Sequence, residues 1–260
     1  MPRFAANLTM LFNEHPFLDR FAAAADAGFA AVEFLFPYDH SPQQVADRLH
    51  ERELTQALFN LPPGDWASGE RGIAGLPGRE QEFQDSVGLA LEYAKALKCK
   101  TLHVMSGICP PDADRAHYLE TYAGNLRFAA EMLGKDGITV VVEPLNNRDV
   151  PNYLIPRPAD ARQVIEAAGA GNLGLQFDFY HVQIMDGDLS KSFEANLDII
   201  RHIQIAGVPE RHEPTVGEIN YGYLFALIDR LGYDGWIGCE YKPSTDTLTG
   251  LSWLQQVGAQ

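Results

Sequence analysis

Acidic and amide side chains recur at the ends of apolar runs in the second half of the chain: Ile138 to Glu143, Leu173 to Asp178, Arg201 to Ala206 and Trp236 to Glu240. In an extended strand, successive side chains point to opposite faces. If the bulky pairs Val140 and Val142, Leu175 and Phe177, Ile203 and Ile205, and Ile237 and Cys239 face a helix layer, the opposite face is polar. It carries Val141 and Glu143, then Gly174, Gln176 and Asp178, then His202 and Gln204, and last Trp236, Gly238 and Glu240. Glu143, Asp178, Gln204 and Glu240 then converge on one mouth. Three carboxylates so close raise one another's pKa unless a cation neutralises them. An all-oxygen donor set suits a hard divalent ion, Mg²⁺ or Mn²⁺, better than Zn²⁺. His181 and His202 are candidates for substrate contacts or for orienting the ligands. Taken singly, each acid reads more simply as a helix cap or ion-pair partner. As a set on four successive strands they read as a site. Glu33 and His103 also fall at inward positions of earlier strands, where a lone histidine is ordinarily a hydrogen-bonded core residue.

The elements that would position these groups recur regularly. Strands are expected to begin near Phe4, Ala31, Leu54, Thr101, Ile138, Leu173, Arg201 and Trp236. That spacing, ~32 residues, is the size of a βα module. The intervening segments are amphipathic at helical spacing, with Phe83, Val87, Leu91 and Ala94 on one face, Tyr118, Tyr122, Leu126 and Leu133 on another, and Leu224, Leu227, Ile228 and Leu231 on a third. Asn220 is suited to cap the helix from Tyr221, and Gly232 to end it. Eight such units without a linker predict a single (β/α)8 TIM barrel domain over residues 1–260. A doubly wound sheet is disfavoured because no G-x-G-x-x-G follows the first strand.

Two connections are long, and long βα loops of such a barrel sit on the catalytic face. Asn146 to Pro158 is proline-rich, and Asn60 to Glu80 is rich in Gly and Pro. In the latter, Gly64, Gly69, Gly72, Gly75 and Gly78 read as bending points, and Arg71 and Arg79 as contacts to an anionic substrate. Trp66 is either a lid over the pocket or an anchor for an ordered loop, which in a homo-oligomer would pack against a second subunit.

Composition excludes other classes. The 260 residues are 46% hydrophobic and carry a formal charge of −15, so a large core is available and a basic surface for nucleic acid or anionic membrane is not. Cys99, Cys109 and Cys239 show no zinc or redox spacing and read as reduced thiols of a cytoplasmic protein. No apolar stretch approaches the ~18 residues of a membrane span. The start of the chain lacks a signal-peptide core, which makes the sequon at Asn7 a chance match.

The stretches Glu33 to Tyr38, Leu61 to Gly72, Pro77 to Glu80, Glu143 to Asn146, Gln176 to His181, Gly217 to Tyr221 and Gly238 to Pro243 together resemble the hydroxypyruvate isomerase family of xylose-isomerase-like barrels. The likeness runs from about Arg3 to Trp253. It implies interconversion of hydroxypyruvate, a small 2-oxo-3-hydroxy acid, with 2-hydroxy-3-oxopropanoate through an enediol. It also implies proton transfer by Glu143 and Glu240, and a Mg²⁺ or Mn²⁺ ion held by Glu143, Asp178, Gln204 and Glu240. The 2-oxo-tetronate isomerases, a sister branch, share these residues. Arg211, His212 and Lys242, in loops after the last two strands, are the cations nearest to hand for the substrate carboxylate. A metal-dependent hydrolase on this barrel would need more histidines and a basic groove, and a non-catalytic binder of sugar acids would have no use for two glutamates facing an anion.

Overall fold

In the computed structural model, which describes residues 2–256, eight parallel strands pair in chain order and the last returns to the first. The strands are β1 (Arg3–Asn7), β2 (Ala31–Glu33), β3 (Thr55–Asn60), β4 (Thr101–His103), β5 (Thr139–Val142), β6 (Leu173–Asp178), β7 (Ile200–Ile205) and β8 (Trp236–Cys239). The helices are α1 (Arg20–Asp26), α2 (Pro42–Glu51), α3 (Glu80–Leu97), α4 (Arg115–Gly134), α5 (Pro158–Ala168), α6 (Phe179–Met185), α7 (Leu189–Asn196), α8 (Tyr221–Arg230), α9 (Thr247–Gly250) and α10 (Trp253–Gln256). This is the expected (β/α)8 barrel, with each strand start within one residue of its sequence position. Ring closure rests on pairing of Arg3 to Ala6 with Trp236 to Cys239.

Local chemistry explains the helix ends. Ser41 and Gln44 form a reciprocal capping box ahead of Pro42 in α2. The Asn220 side chain accepts from Tyr223 N at 3.1 Å, and Gly232 follows the end of α8 at φ 76°. Outward strand residues such as Val140, Leu175, Phe177 and Ile203 pack under the helices in one continuous apolar layer. Inside the ring, Ala5, Ala31 and Ala57 pack with Trp236 to fill the lower end, and Arg3 stacks over the Trp236 ring. The three cysteines are free and buried. Among the described residues no helix is long and apolar enough to cross a membrane.

The long connection between β3 and α3 is anchored over its second half. Ile73 and Ala74 are buried, Asn125 Nδ2 donates to Ala74 O at 2.8 Å, and Gly75 N donates to Ser106 O at 2.7 Å. Gly72 and Gly75, read from sequence as bending points, are positions of close approach instead. A Cβ at Gly72 would lie 2.3 Å from Met105 O, and one at Gly75 2.7 Å from Ser106 O. Residues 65–69 at the tip are exposed, and the turn is closed by Asp65 N donating to Glu70 Oε2 at 2.5 Å. Gly69 and Gly72 both have positive φ, yet a Cβ at Gly69 meets nothing within 4 Å. Gly69→Ala should therefore lower stability by only about 1 to 2 kcal/mol, the strain of a left-handed residue. Gly72→Ala adds a backbone collision and should lose clearly more in urea unfolding. Equal losses would show that the second half of the loop is not anchored.

Candidate active site

Each strand delivers a polar side chain to the C-terminal mouth. Asn7, Glu33, Asn60, His103 and Asp178 end their strands, Glu143 and Glu240 follow theirs by one residue, and Gln204 is the penultimate residue of β7. Register sets Asn7 beside Glu33, Asn60 beside His103, and Asp178 beside Gln204. All eight are buried, and six of them, Asn7, Asn60, His103, Glu143, Gln204 and Glu240, line a cavity of about 180 Å³. A larger groove, about 850 Å³, opens beside Arg3 and Trp236 at the other end of the barrel. Among the described residues its lining holds no carboxylate.

Glu143, Asp178 and Glu240 lie together with His181, one side-chain atom of each falling within 4.8 Å of the others. Burial pushes all three carboxyl groups above the ordinary carboxylate range. Neighbouring acid charges push them further, those of Glu240 and Asp178 acting on Glu143. Arg211 opposes this. Its guanidinium pairs with Glu240, lies 3.7 Å from Asp178 Oδ2 and stacks on the Tyr180 ring. Burial disfavours its charge, but the three acids outweigh burial and hold it above its usual range. Asp178 Oδ1 caps α6 by accepting from Tyr180 N at 2.8 Å, which leaves Asp178 Oδ2 without a hydrogen bond. Glu143 Oε1 is likewise unpartnered. Buried carboxylate oxygens with no donor are costly unless a cation meets them. This oxygen-rich set therefore fits a hard divalent ion.

The histidines divide by their hydrogen bonds. His181 Nδ1 accepts from Asn146 N at 3.1 Å, so the ring proton resides on Nε2, 3.6 Å from Asp178 Oδ2. Burial and the nearby Arg211 charge keep the ring neutral. A ring nitrogen that carries a proton has no lone pair for a cation, so in this tautomer His181 Nε2 is a hydrogen-bond donor beside the three carboxyl groups. His103 Nδ1 meets Asn60 Oδ1 at 3.2 Å and burial lowers its pKa to about 3. His202 turns below the mouth to Glu33.

Trp66 and Arg71 line the cavity, with Trp66 against Phe36 and the Arg71 guanidinium 3.9 Å over the indole. Arg79 pairs instead with Glu70 and Glu82. His212 Nδ1 meets Lys242 O at 2.8 Å, and neither residue lines the cavity. Sequence reasoning passed over Asn7 and Asn60 and gave little weight to Glu33 and His103. Their signal was the one used for the later strands, a lone polar residue closing an apolar run.

The family model for xylose isomerase-like TIM barrels matches residues 21–257, and the chain belongs to that family. Within it the chain is an isomerase, as its curated relatives are. It is 57% identical to the 2-oxo-tetronate isomerase of Cupriavidus necator, over 98% of each chain. It is 46% identical to the hydroxypyruvate isomerase of Escherichia coli, again over 98% of each. A solved structure from Brucella melitensis, named AP endonuclease, family 2, superposes with a TM-score of 0.97 at 53% identity, covering 98% of this chain and 99% of the other.

Arg211→Met removes the cation from three buried acids, a change typically worth about 3 kcal/mol or more in a buried pair. The sign with pH follows from the raised carboxyl pKa values. Protonated acids need no partner, so the variant should approach wild-type stability near pH 5 and fall behind as pH rises through the raised values. Urea unfolding of metal-free protein at pH 5 and pH 8 checks this. An equal deficit at both would mean that Arg211 acts by packing alone.

Proposed function

We propose that this isomerase interconverts a short 2-oxo-3-hydroxy acid and its 2-hydroxy-3-oxo isomer through an enediol. The observation that carries the reading is the placement of Glu143 and Glu240, buried just past the ends of β5 and β8 around one small cavity, with both carboxyl groups held above the ordinary range. A carboxylate of raised pKa is a stronger base, suited to taking a proton from carbon next to a carbonyl. Glu143, with Oε1 free, takes the C3 proton. Glu240, held by Asn7 and Arg211, returns one to C2. The hydroxyl proton on O3 is lost and one is gained on O2, so the atoms balance. His181 Nε2–H is directed at the cavity to donate to the substrate carbonyl, and Arg211 is the cation for its carboxylate. Trp66 and Arg71 form the outer wall that limits water reaching the enediol.

Glu143, Asp178, Gln204 and Glu240 are the residues that would hold Mg²⁺ or Mn²⁺. Such an ion supplies Lewis-acid stabilisation of the developing oxyanion.

Hydroxypyruvate is the three-carbon substrate of this chemistry and 2-oxo-tetronate the four-carbon one. The 57% identity to a 2-oxo-tetronate isomerase favours the longer acid as a second reading. The endonuclease name of the Brucella structure does not fit as well, because the chain carries a net charge of −15 and the mouth is acidic, which opposes a polyanion. Incubation with each acid plus Mg²⁺ or Mn²⁺, followed by NMR, should show turnover of at least one, with the higher kcat/KM naming the substrate. Glu143→Gln and Glu240→Gln should each lower kcat about 100-fold or more while leaving the fold intact. Inertness of the wild type toward both acids would defeat the reading, and normal turnover in either variant would remove that residue from the mechanism.

A further inference from the structure

Beneath the mouth lies a buried carboxylate to which the reaction above assigns no task. Glu33, at the end of β2, is fully buried and accepts three side-chain hydrogen bonds: Asn7 Nδ2 at 2.9 Å, Gln204 Nε2 at 2.7 Å and His202 Nε2 at 2.6 Å. The barrel makes room for it at Gly238, where a Cβ would stand 2.3 to 2.4 Å from the carboxylate atoms. An amide side chain has one donor end and one acceptor end. With the Gln204 NH₂ committed to Glu33, its Oε1 faces away, where Gln176 Nε2 donates to it at 2.6 Å beside the cavity. The Asn7 amide is oriented the same way, its Oδ1 accepting from Thr9 N at 3.1 Å while its NH₂ spans Glu33 and Glu240.

From this geometry we infer that Glu33 is a positioning residue. It fixes which end of the Gln204 amide is its oxygen, presenting Oε1 on the Gln176 side beside the cavity, and, through Asn7, holds Glu240 in place. This deepens the proposed function and rests on its assignment of Gln204 as an oxygen donor to a divalent ion. Ligands whose orienting partner is lost typically bind metal about 10- to 100-fold more weakly.

The test is calorimetric titration of Mn²⁺ into metal-free protein, with circular dichroism and melting as controls for folding. Glu33→Leu removes the acceptor and should weaken Mn²⁺ binding about 10- to 100-fold. Gly238→Ala leaves Glu33 present but fills its space, and should weaken binding in the same direction. Glu33→Gln keeps an oxygen for Asn7 and Gln204, and its new NH₂ can donate to His202 once that ring shifts its proton to Nδ1. Mn²⁺ affinity in this variant should stay near the wild-type value. Should Glu33→Leu fail to fold, the other two variants still decide the matter. A loss in Glu33→Gln as large as in Glu33→Leu or Gly238→Ala would assign the effect to charge and overturn the positioning role. So would variants that melt lower but bind Mn²⁺ normally, since that is the mark of a structural role. A wild type that takes no Mn²⁺ would overturn the metal assignment and this inference with it.

Discussion

Burying three carboxyl groups side by side is the constraint to which the upper half of the barrel answers. Glu143, Asp178 and Glu240 share a space too small and too dry for three negative charges, and Arg211 is the cation placed among them. The loop after β7 is shaped to deliver it. Arg211 itself is in the left-handed region, φ 59°, and its carbonyl accepts from Lys242 N at 2.8 Å, which ties the loops after β7 and β8 together. A non-glycine residue in that conformation persists only where its surroundings determine it. The guanidinium restrains the acids without meeting all their oxygens, since Glu143 Oε1 and Asp178 Oδ2 remain without donors. Those two oxygens are the places where a further cation or donor would relieve the cost of burial.

The same constraint orders the polar layer below. Glu33 supplies acceptors for Asn7, His202 and Gln204, so the amides facing the mouth have defined ends. Further down, Ala5, Ala31, Ala57 and Trp236 give an apolar plug. The barrel interior is thus graded from apolar to ionisable along its axis, and the ionisable end coincides with the strand C-termini and their loops. That gradient is the physical reason the site lies where it does.

The barrel was legible in the sequence because strand and helix periods alternate so regularly, as the placement of Thr101 and Trp236 at their strand starts shows. Alternation also brought Glu143, Asp178, Gln204 and Glu240 to one mouth, each at the end of a segment whose bulky apolar residues recur at every second position. The early strands were harder to read. β2 and β4 are three residues long, too short to establish a period, and Asn7 follows two alanines with no bulky partner to mark the faces. Loop residues were the least legible. Arg211 and His212 are adjacent, yet one enters the cluster and the other bonds Lys242 O outside the cavity, a choice made by backbone turns that no side-chain pattern encodes. In the loop after β3, glycines that suggested mobility at positions 72 and 75 are required by close packing against Met105 and Ser106.

The central claim is that two separate carboxyl groups carry the proton between adjacent carbons. It is tested most directly by running the wild-type reaction in D₂O and reading the product by NMR. Because the group that gives a proton to C2 is not the one that took it from C3, and exchanges with solvent between turnovers, the product should carry one deuterium on C2. Product formed at the normal rate with protium retained on C2 would show direct transfer from C3, and would contradict the account.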